Sequence, residues 1–272
     1  MTNLKIMTLN MKNGVLISEF ERRAGSILAM IKWHDPDLIG VQELTEEMIP
    51  AITELSDTYA FYGKARGSMQ PANERCCILY KKDRFRFENG ETFWLSDTPE
   101  KPGSSLPLSM FPRIMTWGRL TDLVSHQTLT FANTHLDHIL PSTRLKQVDI
   151  IIRRLKEKVK DDILIITGDF NASALSMALH RLSEDPDLNI RDTVPTDGVT
   201  TIRNFLQASS SQFRPIDHIF VSRQIQVLKS EIITGMYMGR FPSDHCPVLT
   251  VVELPQAETE AETEPEPESQ PE

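Results

Sequence analysis

Short apolar runs recur along the chain, and most of them stop at an acid, an amide or an imidazole. Residues 4–9 run into Asn10, residues 38–41 into Gln42 and Glu43, residues 129–133 into Thr134, His135, Asp137 and His138, and residues 163–167 into Asp169 and Asn171. Pro215-Ile216-Asp217-His218 opens another run, and Ser243-Asp244-His245 precedes the last. Bounded runs of this length read as buried strands, predicted over 4–9, 37–42, 76–80, 114–120, 129–133, 163–167, 216–221, 227–233 and 247–254. Between them the period changes to that of amphipathic helices. Ser18 and Glu21 form an S-x-x-E capping box before a face of Phe20, Ala24, Ile27, Leu28 and Ile31, and Asp35-Pro36 ends that helix. Further helices are predicted over 46–55, 142–159 and 174–182. Strands alternating with helices in this way specify a mixed α/β domain, with an antiparallel middle section over 75–134 interrupted by a Pro/Ser/Gly-rich surface loop at 96–112.

With 272 residues, 40% of them hydrophobic, the chain can bury one large core, and no internal repeat or domain-scale linker interrupts it before residue 254. The expected organisation is one domain over 1–254 followed by a disordered acidic tail over 255–272. The net charge of -9 belongs largely to that end: eight of the 38 acidic residues lie from Glu253 onward with no basic residue among them, leaving 30 acids against 29 bases in the body. A nearly neutral body neither demands nor excludes nucleic acid. The basic residues Arg153, Arg154, Lys156 and Lys158 of the 142–159 helix read as a solvated face. No apolar stretch approaches the roughly 18–20 residues that span a bilayer. The first residues lack the pattern of a secretory signal, and Cys76, Cys77 and Cys246 cannot make an even disulfide framework. The expectation is a cytoplasmic monomer.

Taken singly, each polar strand end has an ordinary explanation: a turn for Asn10, a helix-start charge for Glu43, a satisfied structural role for any one of His135, His138, His218 and His245. Their combination is what carries chemistry, because clustered carboxylates repel unless a cation or a proton relieves them. Side chains at strand termini on one sheet edge can converge on a single cleft. Oxygen donors from Asn10, Glu43 and Asp244, with no cysteine among them, suit a hard cation such as Mg²⁺ or Mn²⁺. The sequence contains no H-E-x-x-H or C-x-x-C for zinc, no phosphate-cradling glycine loop, and no G-x-S-x-G elbow. Mg²⁺-assisted attack of water on phosphorus remains, with imidazole groups and Arg113 placed to hold phosphate charge.

The motifs T-L-N (ending at Asn10), V-Q-E (ending at Glu43), N-T-H-L-D (133–137), T-G-D-F-N (167–171), P-I-D-H-I (215–219) and S-D-H-C-P (243–247) occur in the order found in the endonuclease/exonuclease/phosphatase superfamily, which the chain resembles over residues 4–252. The resemblance implies a four-layer α/β sandwich, two packed mixed β-sheets flanked by helices. It implies that Glu43 is the principal Mg²⁺ ligand, helped by Asn10 and by Asp244 across the cleft. Asp169 would position or deprotonate the attacking water, and Asn171 would hold that water or a phosphate oxygen. His245 would contact the scissile phosphate with Asp217 on its other nitrogen, His135 would stabilise the phosphate or protonate the leaving oxygen, and Arg113 of F-P-R-I would add a phosphate contact. Lys12 stands where abasic-site endonucleases carry an acid, a departure that argues against a DNA-repair role.

The activity so implied is a Mg²⁺-dependent phosphoesterase, with Mn²⁺ as a possible substitute, hydrolysing nucleic-acid phosphodiester bonds. A phosphoesterase of small molecules or of lipid headgroups is the alternative, and a non-catalytic binding module a distant third. Loops at 64–73, 96–112 and 195–213 are expected to set the substrate, and Phe111, Phe205, Phe213 and Phe241 are candidates to stack on it.

Overall fold

The computed structural model describes residues 3–13, 17–67, 73–159, 163–195, 200–205 and 214–255. Among these residues, twelve strands form two six-stranded sheets. The first contains β1 (Asn3–Asn10), β2 (Leu38–Leu44), β3 (Tyr59–Tyr62), β4 (Arg75–Lys81), β11 (Gln226–Ile232) and β12 (Val248–Glu253), in the order β11-β12-β1-β2-β4-β3. The second contains β5 (Phe85–Trp94), β6 (Ile114–Asp122), β7 (Thr128–His135), β8 (Ile163–Asp169), β9 (Ile190–Asp192) and β10 (Asp217–Ser222), in the order β5-β6-β7-β8-β10-β9. Each sheet is mixed: β1 and β2 are parallel, as are β7 and β8, and the other pairings are antiparallel. The section over 75–134 is antiparallel as expected, but it is divided, with β4 in one sheet and β5 to β7 in the other.

Alternation along the strands builds the layers. On β8, Ile163 and Ile165 point into the space between the sheets, where they meet Leu4, Ile6, Leu38, Phe131, Ile219 and Val248. Leu164 and Ile166 point the other way, onto Val148, Ile151 and Leu155 of α2 (Pro141–Lys158) and Leu179 and Leu182 of α3 (Met177–Ser183). Met7 and Leu9 of β1 likewise face Phe20, Ile27 and Ile31 of α1 (Ile17–His34). The result is helix, sheet, sheet, helix: the expected four-layer sandwich.

Two local expectations are corrected. Ser18 and Glu21 do not frame the start of α1, because the helix already includes Ile17 and so places Ser18 inside its first turn. The predicted helix over 46–55 is a 3-10 segment, Glu46–Asp57, with Pro50 inside it and Ile52 out of helical geometry. Proline lacks the donor an α-helix needs there, which favours the tighter, broken winding.

The sheets are pinned together directly beneath the strand ends that carry the polar motifs. Asn133 on β7 crosses to the other sheet, its Nδ2 donating to the carbonyls of Val41 (2.8 Å) and Cys77 (2.9 Å) while its Oδ1 accepts from Gln42 Nε2 (2.6 Å) and Thr167 Oγ1 (3.2 Å). Gly40 permits this approach, since a Cβ there would sit 1.9 Å from Thr167 Oγ1. Satisfied buried polar bridges of this kind fix one register between the layers, and so fix the relative positions of Asn10, Glu43, His135 and Asp169.

Candidate active site

The residues at those strand ends enclose a cleft of about 300 Å³, lined by Glu43, Arg66, Glu74, Phe111, Arg113, His135, His138, Asp169, Asn171 and His245. Asn10, at the end of β1, donates its Nδ2 to Glu43 Oε1 (2.9 Å) and Asp169 Oδ2 (3.0 Å), tying the two sheets' carboxylates to one amide. The amide is held in turn by the backbone N–H of Lys12, which donates to Asn10 Oδ1 (2.8 Å). Lys12 and Glu43 both have left-handed backbone, with φ of +53° and +61°. Strain of this kind persists where surrounding contacts over-determine it. Here one contact is the Asn13 N–H, which donates to Glu43 Oε2 (2.6 Å). Arg23 of α1 clamps the same loops, donating to the carbonyls of Met11 (3.0 Å), Lys12 (3.0 Å) and Pro242 (2.6 Å).

The β7, β8 and β10 ends supply the other half. Asp169 Oδ1 accepts from the Asn171 N–H (2.9 Å), and Asn171 Nδ2 donates to the Leu136 carbonyl (3.1 Å). His245 Nδ1 lies 2.8 Å from Asp217 Oδ2, and its Nε2 lies 3.8 Å from Asp169 Oδ2. Burial opposes a charge on His245, but Asp217 and Asp169 outweigh it and push the imidazole up to about 11. Burial, with Asp217 second, pushes the Asp169 carboxyl up to about 6 even though His245 acts against the rise. His135 Nε2 is 3.5 Å from Asp169 Oδ2. Burial and then Arg113 and Arg66 hold His135 well below the usual imidazole range, so it is neutral near pH 7.

Arg113 is buried, with Nη2 3.0 Å from His138 Nδ1 and with Nε and Nη1 unpartnered among the described residues. Leaving a charged donor without a partner in the interior is costly unless a ligand takes its place. Asp244 is placed apart from the carboxylate cluster. It pairs with Lys12 Nζ at 3.6 Å, while the groups with ligand atoms within 4.8 Å of one another are Glu43, His135 and Asp169, and Asp169, Asp217 and His245.

Arg66, Glu74 and Arg23 carry no sequence signal for this site, and His138 stands in the sequence only as one of four candidate histidines with no role. Arg66 sits over the Phe111 ring, 4.8 Å from its centroid, and pairs with Glu74 at 2.8 Å, while Phe111 stacks on His138 at 6.3 Å. Burial pushes the Glu74 carboxyl up against the pull of Arg66. His138 was visible in T-H-L-D-H, but nothing there distinguishes a cleft histidine from a structural one. Asp137 of that motif turns away from the cleft and accepts from the backbone of Ile139 and Leu140 and from Ser109, holding the 96–112 loop. Phe241 carries Arg203 at 4.6 Å, whereas Phe213 and the side chain of Phe205 lie outside the described residues, as do parts of the 64–73 and 195–213 loops and residues 256–272. Cys76, Cys77 and Cys246 are buried free thiols, all pushed upward by burial, which leaves them as thiols rather than nucleophilic thiolates.

The donors fit a hard divalent cation: two carboxylates and an amide meet in one buried corner, a cluster whose repulsion a cation relieves. Glu43 and Asn10 are the residues that would hold it.

A sequence model described as "Endonuclease/Exonuclease/phosphatase family" matches residues 7–245. Among solved structures, the mannosyl-6-phosphatase of Bacteroides thetaiotaomicron VPI-5482 superposes with a TM-score of 0.81 at 27% identity, over 92% of this chain and 100% of that one. An endonuclease/exonuclease/phosphatase from Bacteroides vulgatus superposes with a TM-score of 0.82 at 26% identity, over 94% of this chain and 100% of that one. D. rerio TDP2 complexed with a single-strand DNA product shares the fold, at 0.71 and 19% identity over 93% and 100%. None of the curated protein sequences matches the chain.

Proposed function

The chain belongs to the endonuclease/exonuclease/phosphatase family and is a metal-dependent hydrolase of phosphate esters, and from that premise we propose that its substrate is a small soluble phosphomonoester, cleaved with Mg²⁺ or Mn²⁺. The observation that carries the reading is the number of donors around the cleft: His135, Asn171, His245 and a buried Arg113 whose Nε and Nη1 have no partner among the described residues. A terminal phosphate offers three free oxygens and up to two charges, whereas a diester offers two free oxygens and one. A surplus of donors is better matched by the former. The printed activity of the Bacteroides mannosyl-6-phosphatase supports the same class.

In this reading Glu43 and Asn10 hold the divalent ion, which polarises a phosphate oxygen when bound. Asp169, raised to about 6, is ionised at neutral pH yet basic enough to take the proton of the attacking water. Asn171 orients that water or a phosphate oxygen. His245 keeps its charge at pH 7 because Asp217 holds its Nδ1; as the P–O bond breaks its Nε2–H stabilises the leaving oxygen and protonates it to the alcohol, and Asp169 returns to His245 the proton it took from the water. His135, being neutral, contributes a hydrogen bond rather than a charge. Asp244 acts through Lys12, holding the loop after β1.

A phosphodiesterase of nucleic acid, the expectation from the sequence, is the second reading. On its side is an open groove beside Asn171, long enough to receive more than a phosphoryl group. Phosphate release from mannose 6-phosphate and phenyl phosphate, and cleavage of single-stranded DNA and RNA, each measured with Mn²⁺, Mg²⁺ or EDTA, separates the two. Metal-dependent release from the monoesters with the polymers intact supports the proposal. Cleaved polymers with inert monoesters overturn it in favour of the phosphodiesterase.

A further inference from the structure

The groove beside the cleft has a volume of about 730 Å³, against about 300 Å³ for the cleft, and the two share Asn171. Its composition is different in kind. Leu145 from the first turns of α2, Ala172 from the segment after β8, and Ile202 and Ile216 from the approach to β10 give it apolar walls, and Met177, 75% exposed, stands at its lip. Among the described residues, Arg144 and Arg214 are the charged residues that line it and no carboxylate does, whereas the cleft holds Glu43, Glu74 and Asp169. The Arg144 guanidinium is fixed, one Nη1–H donating to the Asp137 carbonyl at 2.9 Å, and both Asp137 and Asp169 support its charge against burial. Arg214 is held by no side-chain hydrogen bond or ion pair among the described residues.

We propose that this groove is the leaving-group subsite, and that it takes an alcohol combining an apolar or aromatic face with a second anionic group. The position follows from continuity: Asn171 faces the phosphate on one side and closes the groove on the other, so an ester bound in the cleft extends into the groove through its alcohol. The chemistry follows from the walls. A purely polar alcohol leaves the apolar surface in water, and a neutral one leaves Arg214 without a counter-charge. Apolar burial against Leu145, Ala172, Ile202 and Ile216 supplies affinity, and Arg144 and Arg214 supply orientation and selectivity. This rests on the phosphoesterase reading and adds the class of leaving group to it.

The test is a series of three monoesters with Mn²⁺: phenyl phosphate, 2-naphthyl phosphate and 6-sulfo-2-naphthyl phosphate. The proposal predicts that kcat/KM rises at each step, by about tenfold for the added ring. Arg214→Glu abolishes the gain from the sulfonate. Ser173→Trp, which fills the groove from a position on its wall, abolishes the gain from the ring, so that the ratio of kcat/KM for 2-naphthyl over phenyl phosphate falls to about one. Equal kcat/KM across the series, with phenyl phosphate turned over, overturns the subsite and leaves the phosphoesterase reading standing. No turnover of any of the three overturns the monoesterase reading and the subsite with it.

Discussion

Two histidine–aspartate pairs meet on neighbouring residues of β10, and their surroundings give them opposite tasks. Asp217 and His218 are adjacent, so their side chains leave the strand on opposite faces. Asp217 pairs with His245 at 2.8 Å, and His218 pairs with Asp192 at 2.7 Å. In both pairs burial opposes the imidazole charge and the carboxylate outweighs it, raising the pKa. The difference lies at the second ring nitrogen. His218 Nε2 lies against the carbonyls of Ala172 (3.0 Å) and Pro215 (3.2 Å), Phe170 and Phe220 pack beside the ring, and the side chain is 1% exposed. His245 is 16% exposed, lines the cleft, and carries no hydrogen-bond partner on Nε2 among the described residues. A histidine held by a carboxylate becomes reactive only where its other nitrogen is left for a ligand; where that nitrogen is spent on carbonyls, the same pair is scaffolding.

The contrast can be broken from either side. The largest effect is expected for His245→Ala, which should lower kcat for a phosphate monoester by at least ~100-fold in the folded variant, with a melting temperature below the parent's because buried Asp217 loses its partner. Steady-state kinetics beside a thermal melt checks both halves. Asp217→Asn keeps the shape of the pair but removes the charge that holds His245 protonated, so a loss of about 100-fold is expected, accompanied by a fall in activity toward alkaline pH that the parent lacks. His218→Gln should spare the chemistry, costing about 3 kcal/mol of stability because a buried imidazole that meets Asp192 and two carbonyls is lost, with turnover in the surviving folded protein nearly unchanged. Denaturant titration measures the first and phosphate release the second.

The smallest effect sharpens the contrast through pH. The folded pKa of His218 is raised above the ordinary 6.5, so the stability its charge contributes is complete below that value. It is lost as pH rises through the folded pKa. The gap in melting temperature between the parent and His218→Gln should therefore narrow steadily from pH 6.5 upward. A gap that widens over that range would mean that the imidazole is neutral in the fold.

Much of this was legible in the sequence, and the reasons are specific. The ends of β1, β2, β7 and β8 could be read because a buried strand is apolar until it reaches solvent, and the first polar residues after it mark the sheet edge. That placed Asn10, Glu43, His135, Asp169 and Asn171 in one corner, where the structure finds them. P-I-D-H-I was harder, because only strand alternation and the partners at 192 and 245 show which of Asp217 and His218 faces the cleft. The edge strands β3, β5 and β9 were not called out: β9 is three residues long, and β5 mixes polar and apolar residues on both faces around a register shift between Phe87 and Asn89. Arg66 and Glu74 were invisible for another reason. They approach the cleft through a loop, and their role depends on a cation–ring contact with Phe111 that no local spacing encodes.

Glu43 is where the account is most exposed. Phosphate release from phenyl phosphate, followed across a Mn²⁺ titration for the parent and for Glu43→Ala, tests directly whether a divalent ion held at this strand end drives the hydrolysis. The account predicts saturable activation of the parent and, in a folded variant, an activation midpoint shifted by at least about tenfold together with depressed maximal turnover. An unchanged Mn²⁺ dependence and unchanged turnover in Glu43→Ala would contradict it.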